Sequence, residues 1–509
     1  MNCQKILNNI YNILLLYLKN YIYFLNIKIY LIFIMEKLNI FLFHRDLRLE
    51  DNTALIEQII NEKNITPIFI FTPEQINSKI NKYFSNASVQ FMVESLYELY
   101  NDIKEKNGKF YFYKGDTMKV LNNINKKVGI NSIGYNIDYT PYAKKRDLQI
   151  KEWCKLKNII LYEKEDYVLY DILNDQTLKK NKTPYLVFTP FKNYCMKNLK
   201  VREINKFKNF KFKKSSDMED IKYYINIKKL DDFYIFNSEI NVNGGRSNGL
   251  KILNSLEKFK DYLKKRDFLI YNTTFLGAHN HFSTVSIREV YYHMINTLGK
   301  NSGLINEIHW RDFYINITHF FPHILQGQLN GNNKSFKKAY DNIKWSYDSI
   351  KFEKFKNGQT GFPIIDAGIA QLLKHNFVHN RIRMLHGNFL TKDLHIDWKS
   401  GEQFYSNNLV DIDAMVNNNS WQWCSGSGTD AQPYFRIFNP WIQTKKYDPD
   451  LKYIRKYLPE LNNVPDYDIF NWWKPEIHEK WLNNNIKYYK PILDHSIESK
   501  IAIKKYKEI

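Results

Sequence analysis

The pattern of apolar and polar positions changes character along the chain. From Leu38 short apolar runs recur: "LNIFLF", "PIFIF", "KFYFY", "SIGYN" and "IILYE". They are rich in β-branched and aromatic residues, the mark of strands. Between them lie amphipathic stretches such as "SVQFMVESLYELYNDIKEK". Strand–helix alternation predicts an α/β domain, a doubly wound parallel sheet covered on both faces, over residues 35–165. A lysine-rich segment follows at 166–245 and reads as a mostly irregular basic linker. Its stretch "NLKVREINKFKNFKFKKSS" (198–216) holds one acidic residue; it reads as a solvated connector, with phosphate contact as the alternative. Beyond Gly249 the apolar spacing is helical. "LKILNSLEKFKDYLKK", "SIREVYYHMINTL", "LINEIHWRDFYINITHFF" and "FPIIDAGIAQLLKHN" all show it, and Pro363 suits a first turn. Residues 246–495 are therefore predicted all-helical.

Residues 1–34 stand apart. "YNILLLYLKNYIYFLNIKIYLIFI" is apolar but broken by Lys19 and Lys28, so no uncharged run reaches the roughly 18 residues of a spanning helix. The segment lacks alanine and glycine, and so lacks a small-residue cleavage site. Met35 directly precedes "EKLNIFLFHRDLR". The preferred reading is an upstream extension or misassigned start; a membrane anchor is the alternative.

Composition adds a partner class. The chain of 509 residues is 44% hydrophobic and carries a formal charge of +21, which favours a polyanion, with nucleic acid ahead of an anionic membrane. Drift in a chain rich in Lys, Asn, Ile and Tyr is the other explanation. Cys3, Cys154, Cys195 and Cys424 form no C-x-x-C pair and no zinc-finger spacing. That pattern predicts a reducing, cytoplasmic compartment with no disulfide framework and no structural metal.

Four stretches hold candidate chemistry. In "NEIHWRDFY" (306–314), Glu307, Trp310, Arg311 and Tyr314 share a helical face. They suit a flat polar ligand, or a buried ion pair beside core aromatics. In "HNFVHNRIRMLHGNFL" (375–390), Asn380, Arg383 and Met384 share a face while Arg381 points elsewhere; arginine forks and an amide grip phosphate and base edges. His375, His379 and His386 lack a nearby carboxylate partner in sequence and read as solvated or core histidines. In "DIDAMVNNN" (411–419), Asp411 and Asp413 suit Mg²⁺, arginine pairing or a ribose or ring N–H. In "NNNSWQWCSGSGTDAQPYFRIFNP" (417–440), Trp421 and Trp423 project about 200° apart on a helix, so they serve different surfaces. An exposed Trp is a stacking platform for a base; two core-boundary tryptophans are the plainer reading.

Together these stretches identify a resemblance. From about 37 to 480 the chain resembles the DNA photolyase/cryptochrome family, closest to the class I cyclobutane pyrimidine dimer photolyases. The likeness is densest over "GQTGFPIIDAGIAQLLKHNFVHNRIRMLHGNFLTKDLHIDWKSGEQFY" (358–405) and on to Pro440, and "FHRDLRLEDN" (43–52) matches the family's opening strand and turn. It implies a Rossmann-like α/β antenna domain and an all-α domain that binds FAD. It also implies light-driven electron transfer from reduced FAD to a pyrimidine dimer flipped out of UV-damaged DNA, in a monomer. Carried over residue by residue, the resemblance assigns the flavin phosphate and ribityl site to Tyr262, Thr273, Thr274 and Leu276. Arg311, Asn380, Arg383, Asp411 and Asp413 fall around the ring system and ribose, and Asn417 faces flavin N5. The dimer pocket falls to Glu307, Trp310, Asn380, Met384 and Trp423. Trp421, Trp398 and Trp345 match an electron-conducting tryptophan chain, and Arg266, Arg381 and Arg436 match DNA contacts. The D-x-D pair is then no metal site.

Sub-family and departures follow from single positions. (6–4) photolyases carry histidines where Asn380 and Met384 stand, and plant cryptochromes carry Asp and Tyr where Asn417 and Trp423 stand. Dimer repair is thus favoured over a cryptochrome-like photoreceptor, and over a Mg²⁺-dependent enzyme built on Asp411 and Asp413. Gly277 and Ser283 stand where the family has serine and glycine; Phe355 and Phe377 replace tryptophans. A lysine that contacts the folate antenna in some members falls near Gln326 here. That argues against folate and leaves a deazaflavin or no antenna open.

Overall fold

The computed structural model describes residues 14–20 and 37–509. The reading of 1–34 as extension or anchor therefore lies outside the described residues, apart from 14–20, which are helical and exposed. Among the described residues no helix is long and apolar enough to cross a membrane.

The five apolar runs form the parallel strands β1 (Leu38–Phe43), β2 (Thr66–Phe71), β3 (Tyr111–Lys114), β4 (Ile130–Asn136) and β5 (Ile160–Lys164). A two-residue strand β6 (Tyr224–Ile225) adds antiparallel to β3, giving the order β5-β4-β1-β2-β3-β6. Every residue of β1 and β2 is buried, because helices cover both faces. Phe41, Phe43, Phe69 and Phe71 pack beneath helices α1 (Thr53–Glu62) and α2 (Asn86–Glu105). Ile40, Leu42, Ile68 and Ile70 pack on the other face against α3 (Thr117–Val128) and α4 (Pro141–Lys157). Helix starts follow local chemistry. The side chains of Asn52, Asp116 and Thr140 accept N–H bonds at the starts of α1, α3 and α4, and α3 stops at Gly129 with φ +73°. The strand order reverses between β1 and β4, and loops 44–52 and 137–140 leave the sheet there.

The segment 166–245 corrects the expectation of irregular structure in part. It contains β6 and a full helix, α5 (Phe188–Asn198). Pro190 obscured that helix. As the third helical residue it lacks only an N–H that has no intrahelical partner anyway. Phe188, Phe191 and Cys195 form the buried face of α5. Residues 199–215 hold no helix or strand, only an isolated bridge from Phe212 to Ile65.

The second half is helical. The elements that matter to the site are α6 (Arg246–Leu253), α7 (Ile287–Leu298), α8 (Gly303–Phe320), α9 (Pro363–His375), α10 (Asn380–Asn388), α11 (Trp398–Asn408), α12 (Ala414–Ser425) and α13 (His495–Lys507). A buried charge network joins the halves. Arg288 of α7 donates to Asp51 and Asp166, each at 2.7 Å. Arg48, from the turn after β1, also pairs with Asp166. Burial alone would raise the Asp166 carboxyl, but Arg48 and Arg288 outweigh it and hold the group well below the usual carboxylate range.

Candidate functional site

A cavity of about 520 Å³ opens among α8, α10, α12 and the segment 262–281. Each wall has a local cause. On α8, Glu307, Trp310, Arg311 and Tyr314 recur every three or four residues and so reach one space. The α10 wall starts where the His379 ring accepts the Arg381 N–H at 3.1 Å, and it supplies Asn380, Arg381, Arg383 and Met384. The expectation that Arg381 points elsewhere is therefore corrected. It sits on the first turn, and its guanidinium swings onto Asp267 at the rim. From α12 come Asn417, Trp421 and Trp423, and from the preceding loop Asp411 and Asp413. Tyr262, Arg266, Thr273, Thr274 and Leu276 close the remaining side. Trp345, Trp398 and Arg436 lie outside the cavity lining, and Arg436 is exposed.

Charge is graded through this space. Inside, Arg383 donates to both oxygens of Asp411 at 2.9 and 3.1 Å. Asp413 accepts the N–H groups of Met415 and Val416 with one oxygen, capping α12. Its other oxygen accepts Arg45 at 3.0 Å and pairs with His281 at 3.2 Å. Burial would raise this carboxyl; His281 and Arg45 hold it far below its ordinary range. Both aspartates are thus engaged by cations, and among the described residues no group of His, Cys, Asp and Glu is arranged to hold a metal. Arg311 is buried, donates to the Tyr167 carbonyl at 2.6 Å, and is lowered by burial. At the open side Glu307 pairs with Arg266 at 3.0 Å, with both side chains about two-fifths exposed. Helices α10 and α12 both begin at the cavity, capped by His379 and Asp413.

The two neighbouring tryptophans divide as their spacing requires, though both touch the cavity. Trp423 is half-buried in its wall; Trp421 forms part of the wall from behind and is buried among Tyr405, Trp398 and Leu390. Its ring meets Tyr405 edge-on at 5.1 Å and lies flush on Gly401 of α11. A Cβ at Gly401 would stand 2.2 Å from Trp421 Cη2. Gly401→Ala is expected to cost about 1–3 kcal/mol by overpacking and to alter the Trp421 emission; denaturation curves and fluorescence check this. Trp345 is half-buried against the same core and meets Tyr506 of α13 edge-on at 6.3 Å. His386 bonds Tyr405 and the Ile365 carbonyl in that core, and His379 is the buried cap of α10.

Several site residues escape sequence reasoning. Arg45, from the other half of the chain, and His281 hold Asp413. Phe188 of α5 stacks on Trp310 at 3.8 Å and 8°. Glu402 accepts from Asn333, Asn418 and Tyr83, while its peptide oxygen accepts the Asn417 amide at 2.9 Å. Burial pushes the Glu402 carboxyl up to about 7. The basic turn "HRDLR" was the one available signal for Arg45. The substitution at 277 also has a structural counterpart: a Cβ there would sit 2.8 Å from an Asp411 oxygen. Ser283, where the resemblance leads one to expect glycine, has φ +45°.

Comparison with known proteins follows from this geometry. Residues 39–209 match the family described as DNA photolyase, and 304–508 match the FAD binding domain of DNA photolyase. The deoxyribodipyrimidine photo-lyase of Alkalihalophilus pseudofirmus is 32% identical over 486 residues, covering 91% of this chain and 97% of its own. That of Escherichia coli is 28% identical, covering 89% and 95%. The archaeal photolyase of Sulfolobus tokodaii, solved with two FAD molecules, superposes with a TM-score of 0.80 at 33% identity over 92% of this chain and 99% of its own. A cryptochrome from Synechocystis superposes with a TM-score of 0.81 at 22% identity over 92% and 99%, a likeness of fold.

Proposed function

The chain belongs to the DNA photolyase family, and from that premise we propose what each part of the cavity does. The reaction is light-dependent DNA repair by a flavoprotein lyase. The residues present fit FAD: a cavity of about 520 Å³ combines paired charges, helix starts and aromatic walls, and the buried Asn280 Oδ1 beside it has no protein partner. Bound FAD supplies the light-driven electron transfer. Arg311, Asn380, Arg383, Asp411 and Asp413 would hold its ring system and ribose, with Asn417 beside the ring. Tyr262, Thr273, Thr274 and Leu276 hold its phosphate and ribityl portion.

The substrate is a cyclobutane pyrimidine dimer flipped out of DNA. What carries this reading is that the half-open side of the same cavity gathers Glu307, Trp310, Asn380, Met384 and Trp423. Aromatic faces and a hydrogen-bonding carboxyl suit two adjacent unstacked bases. Arg266, Arg381 and Arg436, with the +21 charge, serve the phosphate backbone. The protein acts as a monomer in the cytoplasm, with DNA as its partner. For a second, antenna chromophore the supporting feature is a cavity of about 220 Å³ at the point where the strand order reverses. His44, Arg45 Nη2 and Gln328 Oε1 present buried polar atoms without protein partners there. Gln328 belongs to this lining and Gln326 does not.

The test is repair of an oligonucleotide carrying one thymine dimer, with anaerobically reduced protein, in blue light and in darkness. Loss of the dimer only in light is expected; persistence of the dimer with fully reduced FAD bound overturns the reading. The role of Trp421 is tested separately. Trp421→Phe is expected to slow photoreduction of oxidised FAD at least tenfold, about 1.4 kcal/mol in barrier, while repair by chemically reduced protein continues. Unchanged photoreduction would remove Trp421 from the electron path.

A further inference from the structure

The parallel sheet has two ends. The loop that follows β1 carries Arg45 to Asp413 of the helical half. The strands begin at the opposite end, roughly 20 Å away along the six residues of β1. Each helix that connects two parallel strands runs back alongside them, so it finishes where the strands start. Here α2 finishes with Lys104, α3 with Lys126 and Lys127, and α4 with Lys155 and Lys157. The connection 199–215 passes the same end. The Ile65 N–H, just ahead of β2, donates to the Lys211 carbonyl at 3.2 Å, and the Lys213 N–H donates to the Ile65 carbonyl at 2.8 Å. Lys211 and Lys214 are exposed there, as are the five helix-end lysines.

This charge is unpaired. Among the described residues none of these seven lysines forms an ion pair, whereas farther up the same elements Lys151 pairs with Glu163 and Lys164 with Glu57. The carboxylates in those last helical turns are Asp102 and Glu105 of α2, and the lysines outnumber them. A lysine in a last turn complements the helix dipole, which accounts for the helix-end residues one by one. It accounts for neither Lys211 nor Lys214, which stand on no helix. Nor does it account for the apolar side chains among the charges. Leu156, between Lys155 and Lys157, is 81% exposed, and Ile160, which opens β5, is 49% exposed. Leu38, where the chain enters β1 from the apolar residues 1–34, opens a strand at this end too.

We infer that this end of the sheet docks on the surface of an anionic phospholipid bilayer. The lysine ammonium groups meet the lipid phosphates and carboxylates, and Leu156 and Ile160 enter the headgroup layer between them. Charge and apolar contact reinforce each other at such a surface, and neither suffices alone. A nucleic-acid backbone would match the lysines but has no place for an exposed leucine and isoleucine. The protein lies on the bilayer by this face. No residue that lines the 520 Å³ cavity belongs to it, so docking and the light reaction use separate surfaces.

Sedimentation with vesicles tests this on the full-length, FAD-loaded chain. Vesicles of phosphatidylcholine alone are compared with vesicles that also contain phosphatidylserine. Binding to the mixed vesicles is expected, with little to the neutral ones, and it should fall as salt shortens the reach of the charges. Replacing Lys126, Lys127, Lys155 and Lys157 together by glutamine should weaken it about fivefold for each lysine removed. Replacing the same four by arginine keeps the charge and should leave binding as in the wild type. Leu156→Ser should weaken it about tenfold. Flavin absorbance and light-dependent loss of a thymine dimer should match the wild type in all three variants, because the changes lie outside the cavity. Equal binding to neutral and anionic vesicles, or equal binding by the wild type and the glutamine variant, overturns the inference. Weak binding by the arginine variant overturns it as well, since charge would then not be the cause. An undamaged duplex supplies the last arm. If the glutamine variant loses affinity for that duplex while vesicle binding is unchanged, this face serves nucleic acid and the bilayer reading falls.

Discussion

Asp166→Asn is expected to destabilise the protein by about 3–5 kcal/mol, because it leaves two buried guanidinium groups short of a counter-charge. Asp166, Arg48 and Arg288 are each 1% exposed. Asp166 also accepts the backbone N–H and hydroxyl of Thr53 at the start of α1. Asparagine can keep one acceptor there, but its amide N–H groups face donors. The cost falls on the joint between the sheet and the helical half, so both should unfold at lower denaturant concentration. The pH dependence has a definite sign. The Asp166 carboxyl is depressed in the folded state, so its contribution is fully present above the unfolded value of about 3.9 and is lost as pH falls through the folded value. The gap between wild type and Asp166→Asn should therefore be widest near neutrality and shrink as pH drops below about 4. Urea denaturation at several pH values measures it; a gap independent of pH would show that the variant acts by some route other than this charge.

Arg383→Ala is expected to weaken FAD binding by about 2–3 kcal/mol, roughly 30- to 150-fold in Kd. Arg383 contributes two bonds to Asp411 and one from Nε to the Val378 carbonyl. Its loss leaves the Asp411 carboxylate, 13% exposed, without its cation in a wall that must receive the cofactor. Titration of apoprotein with FAD, followed by quenching of flavin fluorescence, measures the change. Arg436→Ala is the matched control. Arg436 is exposed and outside the cavity lining, so FAD affinity should stay unchanged while DNA binding weakens. Wild-type FAD affinity in Arg383→Ala would mean that the Arg383–Asp411 pair has no part in holding the cofactor.

How much of this was legible in the sequence depended on distance along the chain. The five strand runs were plain because a sheet covered on both faces demands nearly continuous apolar residues, and "LNIFLF" meets that demand at every position but Asn39. The α8 face was plain because Glu307, Trp310, Arg311 and Tyr314 are related by one helical repeat. Helix α5 was missed because lysines and Pro190 blur a face of only three buried residues. The direction of Arg381 was misjudged for a related reason. Helical projection describes where Cβ points, and a long arginine at a helix start follows its carboxylate, here Asp267.

The clasp on Asp413 marks the boundary of what sequence can say. Arg45 and Asp413 are 368 residues apart, and no local pattern links them. The sequence by itself determined the alternation of strands and helices, the basic charge, the helical faces of α8 and the opposed directions of Trp421 and Trp423. These follow from residue-by-residue geometry and composition. Only the tertiary structure decided that Asp413 caps α12 while gripping Arg45 and His281, and that Gly401 makes room for Trp421. It alone set Glu307 and Arg266 together as a pair at the cavity mouth. Such features depend on which distant side chains meet once the two halves pack. In that packing burial strengthens each charge interaction and penalises any group left without a partner.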